Sequence, residues 1–318
     1  MSYPGGEAWK ITNDLNDYFS VTLTADSRAL ATLQRDTTTS VWLVPINDEQ
    51  SAVQLTSNKY DGSRGIALVP DGRVVYTSTA GGNLSLWITN SDGKSARQLT
   101  TYPYSHVDPA VSPDGRYVVF SSDRTGLRNI WRIGIDGSDL KQLTNGKFDQ
   151  FPSFSHDGQR VLYTAVENGR RRLRQVSIEG VNPVQVGGER AATGSFSPDG
   201  KYLLSAYNDE QKKPVRWVQA IIPVTGGDPI KTFDNLPVPQ RESRSVRWLP
   251  NGKELTYVVT RAGVSNIWSQ PLDGGPQKQL TNFKTGLITH FDWSRDGKQL
   301  ALTRTTHSDD LILISDIN

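Results

Sequence analysis

A five-residue turn recurs along this chain at intervals of 42 to 52 residues, and that period restricts the possible folds more than any other feature. It is intact as Ser-Pro-Asp-Gly-Arg at residues 112–116 and as Ser-Pro-Asp-Gly-Lys at residues 197–201. With these copies, centred on Asp114 and Asp199, weaker ones at Asp26, Asp71, Asp157, Asn251 and Asp296 make seven. Two further marks keep step. About 16 residues after most turns comes an apolar segment carrying Trp42, Trp87, Trp131, Trp217 or Trp268, with Leu173 and Leu311 in the weaker copies. Gln-Leu-Thr then follows, ending at Thr56, Thr100, Thr144 and Thr281, and decays to Gln185-Val186-Gly187 and Ile230-Lys231-Thr232. The one remaining copy, Lys10-Ile11-Thr12, precedes the first turn.

Inside each unit apolar and polar residues alternate with period two, as in Tyr117-Val118-Val119-Phe120, and Gly/Asp/Asn clusters punctuate the chain every ~8 to 12 residues. Each unit reads as four short antiparallel strands, with the Asp-Gly turn between the innermost and the second. Pro sets φ early in that turn and Gly accepts positive φ late. A four-stranded unit repeating every ~40 to 50 residues is a propeller blade. The expectation is an all-β, seven-bladed β-propeller over residues 1–318, one domain with blade turns at about 26, 71, 114, 157, 199, 251 and 296. The last unit supplies three strands, so the segment around Trp9 to Thr12 is expected to complete it and close the ring, leaving no open sheet edge.

Composition narrows the partners. With 35 basic against 33 acidic residues the formal charge is +2, too balanced for bulk attraction to nucleic acid or membrane, so any anion site must be local. There is no cysteine, hence no thiolate nucleophile, disulfide or zinc–cysteine site. No apolar run approaches the ~18 residues of a membrane span, and Met1 is not followed by a signal-peptide pattern.

By architectural analogy, propellers bind at one mouth, made by the loops leading into the innermost strands and those between second and third strands. That places Tyr18, Arg64, His106, Asp108, Asp149, Arg244, Arg247, His290 and Asp292 near the mouth. Such a ring suits a small polar ligand or a peptide terminus; equally, the charges pair with one another around a water-filled channel. The run Arg170, Arg171, Arg172 and Arg174, with Lys212 and Lys213 in the next unit, reads either as a patch for an acidic partner or as a solvated face. His290, Asp292, His307 and Asp309 have metal-ligand chemistry but no short ligand spacing, so no metal or other cofactor is expected. Tyr60, Tyr102, Tyr104, Phe148 and Phe283 recur in the loops after Gln-Leu-Thr, where packing is the first reading and a stacking rim the second.

The Ser-Pro-Asp-Gly and Gln-Leu-Thr marks resemble those of the TolB-type, WD-repeat-like propeller family, over essentially residues 7–318. The last unit, running from Phe291-Asp292-Trp293-Ser294-Arg295-Asp296-Gly297-Lys298 to Leu311-Ile312-Leu313-Ile314-Ser315, is similar to the C-terminal propellers of bacterial serine/threonine kinases and winged-helix regulators. The resemblance implies a non-catalytic sensory or interaction module, a monomeric domain of a larger protein, and it favours an extracytoplasmic location. Departures are Ser27 for the turn glycine, Asn251 for the turn aspartate, and a longer fifth unit. Two other classes stand beside this reading. One is a propeller enzyme, either metal-dependent and lactonase- or lyase-like, or the propeller of a prolyl-peptidase-like hydrolase, although no Gly-x-Ser-x-Gly occurs in the chain. The other is a structural scaffold.

Overall fold

The recurring turn forms as its residues suggest. In the third repeat Ser112 Oγ donates to Asp114 Oδ1 at 2.6 Å, and the same oxygen accepts the Arg116 N–H at 3.0 Å. Ser112 Oγ accepts the Tyr117 N–H in turn, and Gly115 supplies φ 74°. The Ser-to-Asp contact recurs at Ser155–Asp157, Ser197–Asp199 and Ser294–Asp296. At the first turn Thr24 and Asp26 make it, with Ser27 at φ 57° in the glycine's place. These local bonds satisfy backbone donors that a bare hairpin would leave to water.

Gln-Leu-Thr has an equally specific role. The outermost strand of most sheets is only two residues long, such as Lys141–Gln142, so the third strand soon runs out of ladder partners. The threonine hydroxyl supplies one: Thr56, Thr100, Thr144 and Thr281 accept the backbone N–H of Val41, Leu86, Ile130 and Ile267, at 2.9–3.0 Å. The glutamine amide bonds the threonine carbonyl, and the leucine enters the core, as Leu55, Leu99 and Leu143 do. Each of Trp42, Trp87, Trp131 and Trp268 stands opposite that glutamine across the strand pair. Trp217 is the exception: it pairs with Asn208 at the loop end of its strand and is 45% exposed.

The computed structural model describes residues 17–46, 48–101, 103–210, 214–238 and 246–315. Repeats two to six each form a separate four-stranded antiparallel sheet, for example His106–Val111, Tyr117–Ser122, Asn129–Gly134 and Lys141–Gln142 in repeat three. The chain divides into two compact units. In the unit Thr39–Thr305, apolar clusters lie between consecutive sheets: Val41 and Leu43 pack with Ile66 and Tyr76, then Val75 and Leu86 with Phe120 and Trp131. The sequence continues through Ile130 with Tyr163, Leu173 with Leu203, and Ile221 with Trp248. Ile267 with Phe291 and Val44 returns it to its starting sheet. A closed succession of sheets, each buried against the next, is a β-propeller.

Among the described residues the strands form six sheets, an arrangement consistent with seven repeats of which the first and last share a sheet. Repeats one and seven share one sheet, in the order Asp17–Leu23, Ala29–Pro45, Gln299–Ser315 and Phe291–Trp293, with Val53–Gln54 paired to Ala29–Pro45. The physical reason lies where each repeat was expected to fold back between its second and third strands. Repeat four turns at Asn168-Gly169, both at positive φ, whereas residues 35–40 and 304–310 contain no glycine and carry Thr37-Thr38-Thr39 and Thr305-Thr306. β-Branched residues favour continued strand over a tight turn. Two 17-residue strands result, and they pair with each other. The strand beside Gln299–Ser315 is therefore Ala29–Pro45; the segment around Trp9 to Thr12 lies outside the described residues.

The second unit comprises residues up to Thr38 and from Thr306 onward. Its described strands are joined by the Arg35–Asp309 ion pair at 2.6 Å and by Thr37 with His307 at 3.0 Å. Phe19, Leu311 and Leu313 are exposed there.

Candidate functional site: a cationic cleft at the ends of three inner strands

The innermost strands of repeats three and four carry matching sequences, His106-Val107-Asp108-Pro109 and Asp149-Gln150-Phe151-Pro152. Proline cannot donate to the ladder, and in both strands the register shifts beside it. The residue before each proline takes a left-handed conformation, φ 56° at Asp108 and 57° at Phe151. Such bulges bend the strand and re-aim side chains, commonly next to binding sites. Gly65 permits the first of them: at φ 126°, a Cβ on it would lie 2.7 Å from Pro109 Cδ. The Asp108 N–H donates to the Arg64 carbonyl at 2.9 Å, tying repeat three to repeat two.

Between these strand ends lies a cleft of about 270 Å³. Arg64, Arg128 and Arg171 contribute the charge, one from each of repeats two, three and four; Asp108 is the one carboxylate among the lining residues. Gln150 adds an amide, and Phe148, Phe151 and Val107 provide apolar wall. Arg128 lies over the Phe148 ring, 5.4 Å from its centroid, a cation–π contact that holds the guanidinium at the rim. Asp108 accepts the Ser121 hydroxyl at 3.3 Å.

The basic run divides because it forms strand Arg170–Ser177, whose successive side chains point to opposite faces. Arg171 lines the cleft, whereas Arg172 is ion-paired with Glu189 and Arg174 with Glu167. Of the four arginines expected to form a patch, one lines the cleft, two are ion-paired and Arg170 is exposed. Lys212 and Lys213, like Arg244, lie outside the described residues.

His106 and Asp149, expected at the mouth, are instead buried, at 1% and 2% exposure. His106 Nδ1 bonds Thr100 Oγ1 at 3.0 Å and the ring meets Phe120 edge-on. Burial, with the Arg124 charge adding to it, lowers its pKa to about 4, so the ring is neutral near pH 7. Asp149 accepts the Gly146 N–H at 3.1 Å, and burial raises its pKa. Asp61 occupies the corresponding place in repeat two, fully buried and likewise raised by desolvation. A polar residue five or six positions after the Gln-Leu-Thr threonine is thus a core feature of repeats two to four, a spacing readable in the sequence, whereas Gly286 and Leu287 stand there after Thr281.

Arg247 and Asp292 do meet, at 3.4 Å, and Asp292 also accepts the Leu68 N–H at 3.0 Å. That arrangement ties three sheets together and matches the reading in which mouth charges pair with each other. The His290 N–H is held by Thr303 Oγ1, and Tyr18 belongs to the other compact unit. Asp309 is paired with Arg35, and His307 with Thr37, so the four candidate metal ligands have separate engagements. Among the described residues no group of three His, Asp or Glu is placed to hold a metal ion. Of the recurring aromatics, Phe283 packs under Arg304 at 4.6 Å, while Phe148 is the one that reaches the cleft. Val107, Gln150 and Phe151 are signalled in the sequence by the Asp-Pro and Phe-Pro pairs beside them, whereas nothing in the sequence marks Arg128.

The family model for the TolB beta propeller domain matches residues 11–193 and 97–234 of this chain, well over half its length. The chain belongs to the TolB β-propeller domain family. The fold of this TolB-type propeller is also similar to solved structures. One is a protein described as TolB from Agrobacterium tumefaciens, at 16% identity and TM-score 0.65, covering 85% of this chain and 99% of that one. TolB from Acinetobacter baumannii follows at 15% identity and TM-score 0.58, covering 86% and 66%. An oligogalacturonate lyase from Vibrio parahaemolyticus is similar at 14% identity and TM-score 0.54, covering 82% and 77%. Identities this low speak for the fold alone. A search of curated proteins finds no match to the sequence. No described helix is long and apolar enough to cross a membrane.

Proposed function

We propose that this TolB-type propeller is a non-catalytic binding module, the sensory or interaction part of a bacterial signalling protein, which takes a protein or small polar ligand at the ends of its inner strands. The observation that carries the reading is the cleft between repeats two, three and four. Asp108, Gln150 and Phe151 are presented on the two bulged strands, with Arg64, Arg128 and Arg171 around them, and fixed polar groups over apolar wall are what a recognition site requires.

The test is a thermal-shift screen of the purified chain against neutral, anionic and cationic small molecules and short peptides, with hits measured by calorimetry. Binders are expected, and Arg64→Ala with Gln150→Ala is expected to weaken them. If every binder keeps its affinity in that double variant, or none binds, the reading fails.

A further inference from the structure

The cleft has a charge character that the proposed function leaves open, and it points to one class of ligand. Three guanidinium groups face one carboxylate among the lining residues. Other acidic groups close in sequence lie outside the lining: Asp61 and Asp149 are buried, Asp123 accepts the Ser105 N–H, and Glu167 is paired with Arg174. Asp108 offsets one of the three charges. The cleft therefore carries a local positive excess in a chain whose overall charge is only +2. Phe151 and Val107 are buried and give the cleft a low-dielectric wall, which strengthens any ion pair formed against it. A guanidinium presents its donors as a planar fork, matched to carboxylate and phosphate oxygens. The volume, about 270 Å³, lies just under the ~300 Å³ lower end of ordinary ligand sites.

Resting on the binding reading above, we propose that this cleft takes a compact dianion, with its oxyanion groups paired to Arg128 and Arg171 and its apolar body against Phe148 and Phe151. Arg64 adds charge from the neighbouring repeat, and Gln150 stands by as a neutral donor. The same chemistry is offered by a free small di-acid and by neighbouring acidic side chains of a peptide.

Calorimetry separates these sources. The probes are succinate, inorganic phosphate, an acetylated and amidated diglutamate peptide, and succinamide as the neutral isostere of succinate. Succinate or phosphate, or the peptide, is expected to bind, more weakly as salt is added, while succinamide does not bind. Tighter binding of the peptide than of succinate assigns the peptide source; equal or weaker binding assigns the free di-acid. Arg128→Gln and Arg171→Gln are each expected to weaken binding about tenfold, Arg171→Lys less than Arg171→Gln, and Arg172→Gln not at all. Circular dichroism of each variant confirms that its fold is kept, and Arg171, on a hairpin flank, reports even if Arg128→Gln fails to fold. The proposal is overturned if no anionic probe binds, if succinamide binds as well as succinate, or if the Arg171 variants bind like the parent. Neutral or cationic ligands lost on Arg64→Ala with Gln150→Ala would then leave the binding module standing without its anion preference.

Discussion

The side chain of Asp292 accepts the backbone N–H of Leu68 at 3.0 Å, joining residues 224 apart in sequence, and its other oxygen lies 3.4 Å from the Arg247 guanidinium. One carboxylate on the innermost strand of the last repeat thus touches the sheets on either side of it. Asp292→Ala removes the acceptor of a backbone donor and leaves a largely buried guanidinium without its partner. A loss of about 1–3 kcal/mol in urea unfolding is expected, with Asp292→Asn losing less because it keeps an acceptor for Leu68. Equal stability of Asp292→Ala and the parent would show that this junction contributes nothing.

His106 sets a pH window for stability. Its folded pKa, about 4, lies below the ordinary 6.5 because burial disfavours the imidazolium. As pH falls the unfolded chain takes up this proton first. The contribution is therefore whole above about pH 6.5, declines from there to about pH 4, and is lost below, in total on the order of 3 kcal/mol. Urea midpoints from pH 7 to 4.5 should fall more steeply for the parent than for His106→Asn. Parallel curves would rule out the buried neutral ring as the cause.

Thr144 tests the Gln-Leu-Thr device. Its hydroxyl accepts the Ile130 N–H at 3.0 Å in a buried setting. Thr144→Val keeps the shape but strands that donor, at an expected cost of about 1–3 kcal/mol, while Thr144→Ser keeps the bond and costs less. If valine and serine proved equally stable, the motif would be acting through packing alone.

Gly65 links fold to cleft. An alanine there must adopt φ 126° and place its Cβ 2.7 Å from the ring of Pro109, beside the bulge that carries Asp108. Strain and clash together should cost on the order of 2–4 kcal/mol, and any ligand of the cleft should bind more weakly to the folded fraction. Retained stability together with unchanged binding would mean that the bulge tolerates displacement.

Much of this architecture was legible along the chain because its determinants are local. The Asp-Gly turn is closed by contacts between residues two and five apart, such as Ser112 with Asp114 and Tyr117. The threonine of Gln-Leu-Thr reaches back about 14 residues to a fixed place on the preceding strand, as Thr144 does to Ile130. Trp131 opposite Gln142 repeats for the same reason. Interactions of short range leave a mark at fixed spacing, and seven turns were enough to reveal the sheet unit.

Pairings between distant residues left no such mark. Whether Ala29–Pro45 folds back on itself or runs on to meet Gln299–Ser315 depends on two segments some 270 residues apart, and Arg35 against Asp309 is seen only once they are side by side. The alternating geometry of strand Arg170–Ser177 sent Arg171 one way and Arg172 and Arg174 the other, although all belong to one basic run in sequence. Sequence alone determined the repeating sheet and the chemistry of its turns, since those depend on neighbours along the chain. Tertiary structure decided which sheets are shared and which charges converge, because burial and approach in space assign partners that chain order does not encode.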